Sequence, residues 1–540
     1  MTATLSLTGK RWVLRREGES PDIIATLKAE RGIADDPTAR LSDPLLFPDM
    51  AKAVARIRRA MDTREVIGIF GDYDADGITG TAQLMRAFRR HGLEPVVHLP
   101  HRALEGYGMK IASIDVLKQK GVTLLITVDT GISAHAEIAH AKKLGMDVIV
   151  TDHHRVQGGA PDAFAVIHPT VPETFPNQHL SGSGVAFMLV RALEDGNPWD
   201  GIDTDIALAT IGTVGDLVPL TGENRTLVIH GLKFLSKLPQ SPLRDFIDDV
   251  RGDGPLTAGD IAFRVVPRIN AAGRMAHPDI ALRALLEGGD ALGELHRLNG
   301  DRRSFVEELD RLLSEESGKQ GAFIVIASEK VTPGTAGLLA SRFTERMGRP
   351  SLVAAVVGDQ AVASIRSPEG IDAVECLEHS AVKPLLRSYG GHAQAAGCSF
   401  AASDVKRLTE GLNRALSERG ITADTLVPAL HIDAELPHAG PDDRFVRGLK
   451  SLEPFGAGND DPMFLLRAQM VSDVRAIGSD GTHLQCRIGR TRAIGFGLGA
   501  LASSIGQQRI DVACRLGMNT WNGRETLQLF VEDLRIAGSQ

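Results

Sequence analysis

The chain has 540 residues, long enough for roughly three to four domains. Its 60 basic and 68 acidic residues give a formal charge of −8, the wrong sign for a protein that coats nucleic acid unselectively. Apolar residues make up 43% and charged residues 24%, which excludes wholesale disorder.

Residues 1–60 read as a mixed, largely helical segment with no nameable chemistry. From Val66 the pattern becomes regular. Short apolar runs at 66–70, 95–99, 123–128 and 147–150 predict strands, and 78–91 and 134–144 predict helices closed by Gly92 and Gly145. Such alternation predicts a parallel sheet covered on both faces. Helices are expected again at 184–193 and 204–211. Residues 279–318 carry leucines at helical spacing among many charges, which predicts a long solvated helix linking two lobes. Strand-like runs at 323–327, 351–357 and 362–365 predict a second, smaller α/β unit. The tail from about residue 427 reads as short strands at 463–467, 471–477, 483–488, 493–496, 511–516 and 526–534, with hairpin signals at Asp480-Gly481 and Asn522-Gly523. A small barrel or sandwich is expected, with an oligonucleotide-binding barrel as one candidate.

The four cysteines, Cys376, Cys398, Cys486 and Cys514, are widely spaced, which fits a reducing compartment and no zinc or disulfide framework. With no membrane-length apolar run and no signal-like N-terminus, the expectation is a soluble cytoplasmic protein. No phosphate-loop run Gly-x-x-x-x-Gly-Lys-Ser/Thr occurs, which argues against a nucleotide-driven motor.

The chemistry lies in the acids. Asp72, Asp74 and Asp76 alternate in Gly71-Asp72-Tyr73-Asp74-Ala75-Asp76-Gly77, directly after a predicted strand. Carboxylates this close repel one another, and a cation is the natural way to keep them ionised. Alone, the run reads equally as an acidic turn capping the next helix. Asp129 follows another predicted strand, where a lone Asp is commonly an N-cap. Asp152-His153-His154 follows a third strand, and Asp216 follows an apolar helical run. In a parallel sheet, ligands bind at the carboxyl ends of the strands. Folding would therefore gather at least five carboxylates and two imidazoles at one edge. Two divalent ions bridged by a carboxylate would suit phosphoester hydrolysis there. Imidazole among oxygen donors favours Mn²⁺, with Mg²⁺ as the alternative.

In this order, Asp72-Tyr73-Asp74-Ala75-Asp76-Gly77, Val128-Asp129-Thr130-Gly131, Asp152-His153-His154 and Gly215-Asp216 resemble the four motifs of the DHH phosphoesterase superfamily, and within it those of the RecJ-type exonucleases. Arg268-Ile269-Asn270-Ala271-Ala272-Gly273-Arg274-Met275, Gly390-Gly391-His392 and Leu452-Glu453-Pro454-Phe455-Gly456-Ala457-Gly458-Asn459 are similar to further signatures of that type. The resemblance spans about residues 50–538. It implies an α/β chain: after the segment 1–60, a parallel-sheet DHH domain (61–278), a connecting helix (279–320), a smaller α/β DHHA1 domain (321–426) and an oligonucleotide-binding β-barrel (427–540). It also implies two metals, Asp74 serving one and Asp76 the other, with Asp129 bridging and His153 and Asp216 completing the second. Asp72 and His154 would ligate, stand behind the ligands or touch the scissile phosphate. Phe70 departs from the pattern, because many relatives carry a His there, which would leave one metal with fewer protein ligands.

The implied reaction is metal-dependent 5′-to-3′ hydrolysis of single-stranded DNA to 5′-mononucleotides, in DNA repair and recombination. Arg102, Arg274, Ser364 and Arg366 match positions used around the terminal 5′-phosphate, a task that suits guanidinium forks. Asn270, His392 and Tyr107 join them as DNA-binding candidates, Tyr107 as a stacking surface. In the tail, Arg487, Arg490 and Arg492 cluster with Trp521 and suit a groove tracking a single strand, while Phe496 is expected in the barrel core. The resemblance further implies single-strand-binding protein and a RecQ-type helicase as partners, and a monomer. Two alternatives stand beside this reading. One is a DHH phosphodiesterase acting on short RNA or cyclic dinucleotides, a type that tends to be shorter and to lack the barrel. The other is an inactive replisome scaffold of the same fold, a type that loses metal-ligating acids.

Overall fold

The computed structural model describes the chain apart from residues 1–4, 17–21, 35–39, 103, 107, 157, 173, 196–202, 253, 318–320, 424, 479, 507, 522–523 and 539–540, and apart from the side chains of 203, 315–317, 520, 521 and 524. The chain forms β1 (Arg11–Leu14), then β2 (Ile67–Gly71), β3 (Val96–His98), β4 (Leu124–Val128), β5 (Asp147–Thr151) and β6 (Ala165–Ile167). Strands β2 to β6 make one sheet in the order β3-β2-β4-β5-β6, every pairing parallel. β2 and β4 are buried along their whole length, as strands covered on both faces must be. One cover includes the helices Met50–Asp62, Ala75–Arg90 and Gly182–Leu193, the last buried at every residue. The other is built on Ile111–Gln119 and His135–Lys143. Chain order reverses between β2 and β4, and at such a switch point the loops diverge and leave a crevice.

The connecting region is less solvated than expected. Asp279–Leu286 is followed, after Gly288-Gly289, by a helix of 28 residues, Asp290–Ser317. Its Leu295 and Leu298 are buried in the first core, and its Val306, Leu309 and Leu313 in the core of the next unit. The helix therefore joins two cores rather than bridging solvent. The second unit holds β7 (Ile324–Ser328), β8 (Ser351–Val357), β9 (Gln360–Arg366), β10 (Leu386–His392) and β11 (Ala395–Ala401), in the order β10-β11-β9-β8-β7. Only β7–β8 is parallel.

The tail adds β12 (Ala429–Ile432), β13 (Ala434–Glu435), β14 (Phe464–Gln469), β15 (Val471–Ile477), β16 (His483–Ile488), β17 (Thr491–Gly495), β18 (Ile510–Trp521) and β19 (Arg524–Ile536). Strands β13 to β19 form a seven-stranded, mainly antiparallel sheet around one apolar core. The Asp480-Gly481 turn joins β15 to β16 as expected, while Asn522-Gly523 lies outside the described residues. The first sixty residues divide between two units. β1 pairs in parallel with β12, and Ile23 and Leu27 enter the tail core, whereas Met50, Ala53 and Ile57 enter the first core.

The Leu452-to-Asn459 run forms the joint between the tail and the first domain. Ala457 O accepts from Leu220 N–H at 2.7 Å. Arg225 donates to Leu452 O and Ser451 O, each at 3.1 Å. Asn459 Nδ2 braces the run from within, donating to Leu452 O at 2.7 Å and Pro454 O at 2.9 Å.

Candidate metal centre

Three adjacent strands deliver the acids side by side. Gly71 at the end of β2 is in register with Val128 at the end of β4, so Asp72 and Asp129 emerge together. Asp129 N–H donates to Thr151 O at 3.0 Å, which brings Asp152, His153 and His154 alongside. Asp216 arrives on the C-terminal end of the Asp203–Gly215 helix. Asp74 is the N-cap of the Ala75–Arg90 helix: its Oδ1 accepts from Asp76 N–H at 3.0 Å and Gly77 N–H at 3.2 Å. Asp76 is locked by the start of the Gly182–Leu193 helix, accepting from Gly182 N–H at 2.6 Å and Ser183 N–H at 3.0 Å.

The fold makes room for this crowding at two glycines. A Cβ on Gly182 would lie 2.4 Å from Asp129 Cβ, and one on Gly212 would lie 2.5 Å from Asp76 Oδ1. Asp129 itself sits at φ 61°, in the left-handed region, a conformation that costs free energy and is held only by its surroundings.

His153 stands at the middle. Its Nε2 lies 3.2 Å from Asp129 Oδ1, 3.5 Å from Asp216 Oδ2 and 3.8 Å from Asp76 Oδ2. His154 Nδ1 lies 2.8 Å from Asp152 Oδ1 and 3.7 Å from Asp129 Oδ1. Three triads have their donor atoms within 4.8 Å of one another: Asp72, Asp74 and Asp129; Asp76, His153 and Asp216; and Asp129, His153 and His154. All seven expected residues thus converge, with Asp129 and His153 shared between triads.

Electrostatics sharpen the picture. Burial, and then neighbouring carboxylates, push Asp216 up to about 9 and Asp76 up to about 7, and raise Asp72 and Asp129 well above the usual carboxylate range. Burial also pushes His153 down to about 3, which keeps its imidazole neutral, the form that binds metals. Burial opposes the charge of His154, but its bond to Asp152 outweighs this and raises it to about 9. For Asp152, burial is overcome by His154 and by the Ile132 N–H bond, leaving it at about 2. Asp152 thus orients His154 rather than joining the triads.

Asp72 Oδ1, Asp129 Oδ1 and His153 Nε2 are buried without a hydrogen-bond partner. Buried polar atoms normally have one. Orphaned carboxylate oxygens and a neutral imidazole, set among acids that cannot all ionise unaided, fit divalent cations with oxygen and nitrogen donors.

Phe70 is fully buried and stacks on His98 with ring centroids 5.0 Å apart, in the core on the far side of the sheet. Arg102 stands over the Tyr73 ring at 5.1 Å, so the aromatic residue between two of the acids serves as a platform for a cation. Arg274 donates to Gly334 O at 3.0 Å, at the first turn of the Pro333–Met347 helix. Ser364 Oγ and Arg366 Nη2 lie 3.5 Å and 3.3 Å from where a Cβ on Gly337 would stand. Burial, then Arg102, depresses Arg366, and burial, then Arg102 and Arg302, depresses Arg274 to about 9. Arg102, Arg274, Ser364 and Arg366 therefore gather beside the acids, at a helix N-terminus suited to anions. His392 is exposed, in the register row His392–Ala395–Arg366 that runs from β10 across to β9. Asn270 Oδ1 accepts from Ala75 N–H at 2.7 Å, buttressing the acidic loop. Tyr107 lies outside the described residues.

In the tail, Arg490 and Arg492 are exposed, and Arg487 pairs with Asp473 at 3.1 Å. Trp521 ends β18, and its side chain lies outside the described residues. Phe496 is not in the barrel core: it is 62% exposed, with His483 edge-on at 5.3 Å. β17 ends at Gly495, so strand alternation no longer points the next side chain inward.

Family models match along the chain: the DHH family, N-terminal domain, at 66–213; the DHHA1 domain at 320–418; and the RecJ OB domain at 432–533. The single-stranded-DNA-specific exonuclease RecJ of Bacillus subtilis is 34% identical over 95% of this chain and 68% of its own length. The Thermus thermophilus RecJ is 35% identical over 90% of this chain and 71% of its own. The crystal structure of RecJ from Thermus thermophilus in complex with Mn²⁺ superposes with a TM-score of 0.83 at 31% identity, covering 96% of this chain and 76% of that one. The corresponding complex with Mg²⁺ gives a TM-score of 0.76. With the three domain models matched in turn and relatives 34% and 35% identical over most of its length, the chain belongs to the RecJ family.

Proposed function

We propose that the chain is a metal-dependent exonuclease that degrades single-stranded DNA from a 5′ end, 5′ to 3′, releasing 5′-mononucleotides in DNA repair and recombination. The observation that carries this reading is the buried cluster of Asp72, Asp74, Asp76, Asp129, His153 and Asp216 with its orphaned donor atoms, set beside an arginine pocket. Asp72 and Asp74 would hold one divalent ion, and Asp76, His153 and Asp216 the other, with Asp129 shared; Mn²⁺ is preferred because an imidazole joins the oxygens. Such ions lower the pKa of bound water and neutralise charge on the phosphoryl oxygens.

The protein residues have distinct tasks. Asp76 is fixed by two backbone N–H groups, so its carboxylate cannot swing away from the site. His154, held charged by Asp152, offers a proton donor toward the phosphate oxygens. Arg102, Arg274 and Arg366 with Ser364 bind the terminal 5′-phosphate, which sets the register of the strand and selects ends. The barrel arginines Arg487, Arg490 and Arg492 hold the trailing strand.

This substrate makes work beside single-strand-binding protein and a RecQ-type helicase reasonable, by the chain acting as a monomer in the cytoplasm. Among the described residues no helix is long and apolar enough to cross a membrane. The deciding experiment is digestion of linear single-stranded, duplex and circular single-stranded DNA with Mn²⁺ or with EDTA. Only the linear single strand with Mn²⁺ should be consumed. Full activity in EDTA would overturn the metal role, and equal loss of the circle would overturn the need for an end.

A further inference from the structure

Arginines continue beyond the end-phosphate pocket. Arg268 lies on the Val266–Met275 helix that also carries Arg274, and Arg302 and Arg303 lie on the long Asp290–Ser317 helix packed against it. None of these four has a carboxylate within 4.0 Å among the described residues. The neighbouring acids are drawn elsewhere: Asp260 to Arg264 at 3.4 Å, Asp301 to Arg297 at 2.7 Å, and Asp310 to Arg342 at 3.4 Å. Arg268 spends one N–H on Arg264 O, and Arg302 spends one on Asn299 Oδ1 at 3.0 Å. The Nε atoms of both are buried without a partner.

The guanidiniums also feel one another. After burial, Arg303, Arg342 and Arg268 depress Arg302, Arg303 and Arg264 depress Arg268, and Arg302 in turn reaches Arg274. Uncompensated like charges on packed helices are costly unless an anion lies among them. Guanidinium forks with free edges match phosphate oxygens.

We infer that Arg268, Arg302 and Arg303 form a second phosphate subsite, continuous through Arg274 with the end-phosphate pocket. It takes a phosphate outward of the terminal nucleotide's own 5′-phosphate, as a 5′-polyphosphate end supplies, because the linkage on the other side of that nucleotide is the one cleaved and lies at the metal centre. The inference rests on the reading of Arg274 as part of the end pocket and extends it.

The test uses the full chain in EDTA at low salt, so that no cleavage occurs, and follows binding of short labelled single strands ending in 5′-hydroxyl, 5′-monophosphate or 5′-triphosphate. Arg268→Gln with Arg302→Gln should weaken binding of the 5′-triphosphate strand about fivefold or more and flatten its salt dependence by about 0.7 in log–log slope for each phosphate no longer neutralised. The paired Lys variants, which keep the charge, should retain most of the affinity. Thermal melts establish that each variant is folded. A loss shared equally by all three ends places these arginines on the trailing backbone and overturns the polyphosphate subsite. A loss confined to the triphosphate supports a polyphosphate end. Affinity within twofold of wild type for every end, with an unchanged salt slope, overturns the subsite while leaving the end pocket standing. A wild-type chain that binds monophosphate and hydroxyl ends equally overturns the pocket and this extension together.

Discussion

Gly182 offers a perturbation that touches no ligand and yet should disable the centre. A Cβ there would lie 2.4 Å from Asp129 Cβ, 2.5 Å from its Oδ1 and 2.6 Å from its Cγ, whereas ordinary van der Waals separation begins at 3.4 Å. In Gly182→Ala either Asp129 or the helix start must therefore yield by about 1 Å, and a misplacement of that size costs on the order of 100-fold in rate. The helix N–H groups of Gly182 and Ser183 also hold Asp76, so backing the helix away loosens a second ligand. The overpacking should lower stability by about 1–3 kcal/mol, partly offset by the gain of up to about 1 kcal/mol that alanine brings to a helix. Gly184→Ala is the control. Two residues along the same helix, its Cβ would meet nothing nearer than Leu180 Cδ2 at 3.2 Å and Ser181 Oγ at 3.6 Å. The assay is the initial rate of single-strand digestion across a Mn²⁺ titration, with thermal melts alongside. Gly182→Ala should raise the half-saturating Mn²⁺ concentration and cut the saturated rate, while Gly184→Ala stays near wild type. A Gly182→Ala enzyme within threefold of wild type at every Mn²⁺ concentration would refute the packing argument.

Asp129→Ala should abolish hydrolysis while single-strand binding by anisotropy remains measurable; residual turnover above about 1% of wild type would refute its shared position. Arg274→Ala should mainly erode the preference for a 5′-phosphate over a 5′-hydroxyl end in initial rates, and an unchanged preference would remove it from the end pocket. Phe496→Ala should weaken single-strand binding by about 1–3 kcal/mol if a base stacks on the ring, with an unchanged melting temperature because the ring is 62% exposed. Glu65 is a pH probe remote from the centre: bonds from Arg56, at 2.8 Å, lower it from its usual 4.5, although burial opposes this. A depressed folded-state value stabilises the fold above the unfolded one, so wild type should exceed Glu65→Gln by about 1–2 kcal/mol at neutral pH. Urea titrations should show that gap shrinking as pH falls below 4.5 through the folded-state value.

The acids were legible because a parallel sheet has only one kind of place to put them. Asp72, Asp129 and Asp152 each follow an apolar run, and adjacent parallel strands end at one edge by construction. Asp216 carried no such guarantee; its placement depends on helix packing at Gly212 and Gly215, which spacing alone does not reveal. β10 and β11 were missed because Gly390, Gly391 and the small residues of 395–399 give little apolar alternation. The pairing of β1 with β12 joins segments too far apart for any local pattern to report. Phe496 was misplaced because alternation was carried one residue past the strand end. Asn270 was read through its motif, whereas its hydrogen bond to Ala75 depends on how two distant helices meet. Tyr73 went unremarked between two acids whose repulsion took precedence.

The β1–β12 ladder has a consequence for how the chain is made. Trp12 pairs with Leu430, and its indole N–H reaches Asp533 at 2.8 Å, so β1 completes a domain that is translated long after it. About 400 residues separate the two strands, which at roughly 5–20 residues per second is on the order of 20–80 s of synthesis. Throughout that interval the nuclease core can assemble, while β1 waits without a neighbour to bond to. An unpaired strand is a template for wrong partners. Here it is only four residues long, begins with Arg11 and is flanked by Lys10, Arg15 and Arg16, a brief and strongly charged edge that discourages such pairing until its own partner emerges.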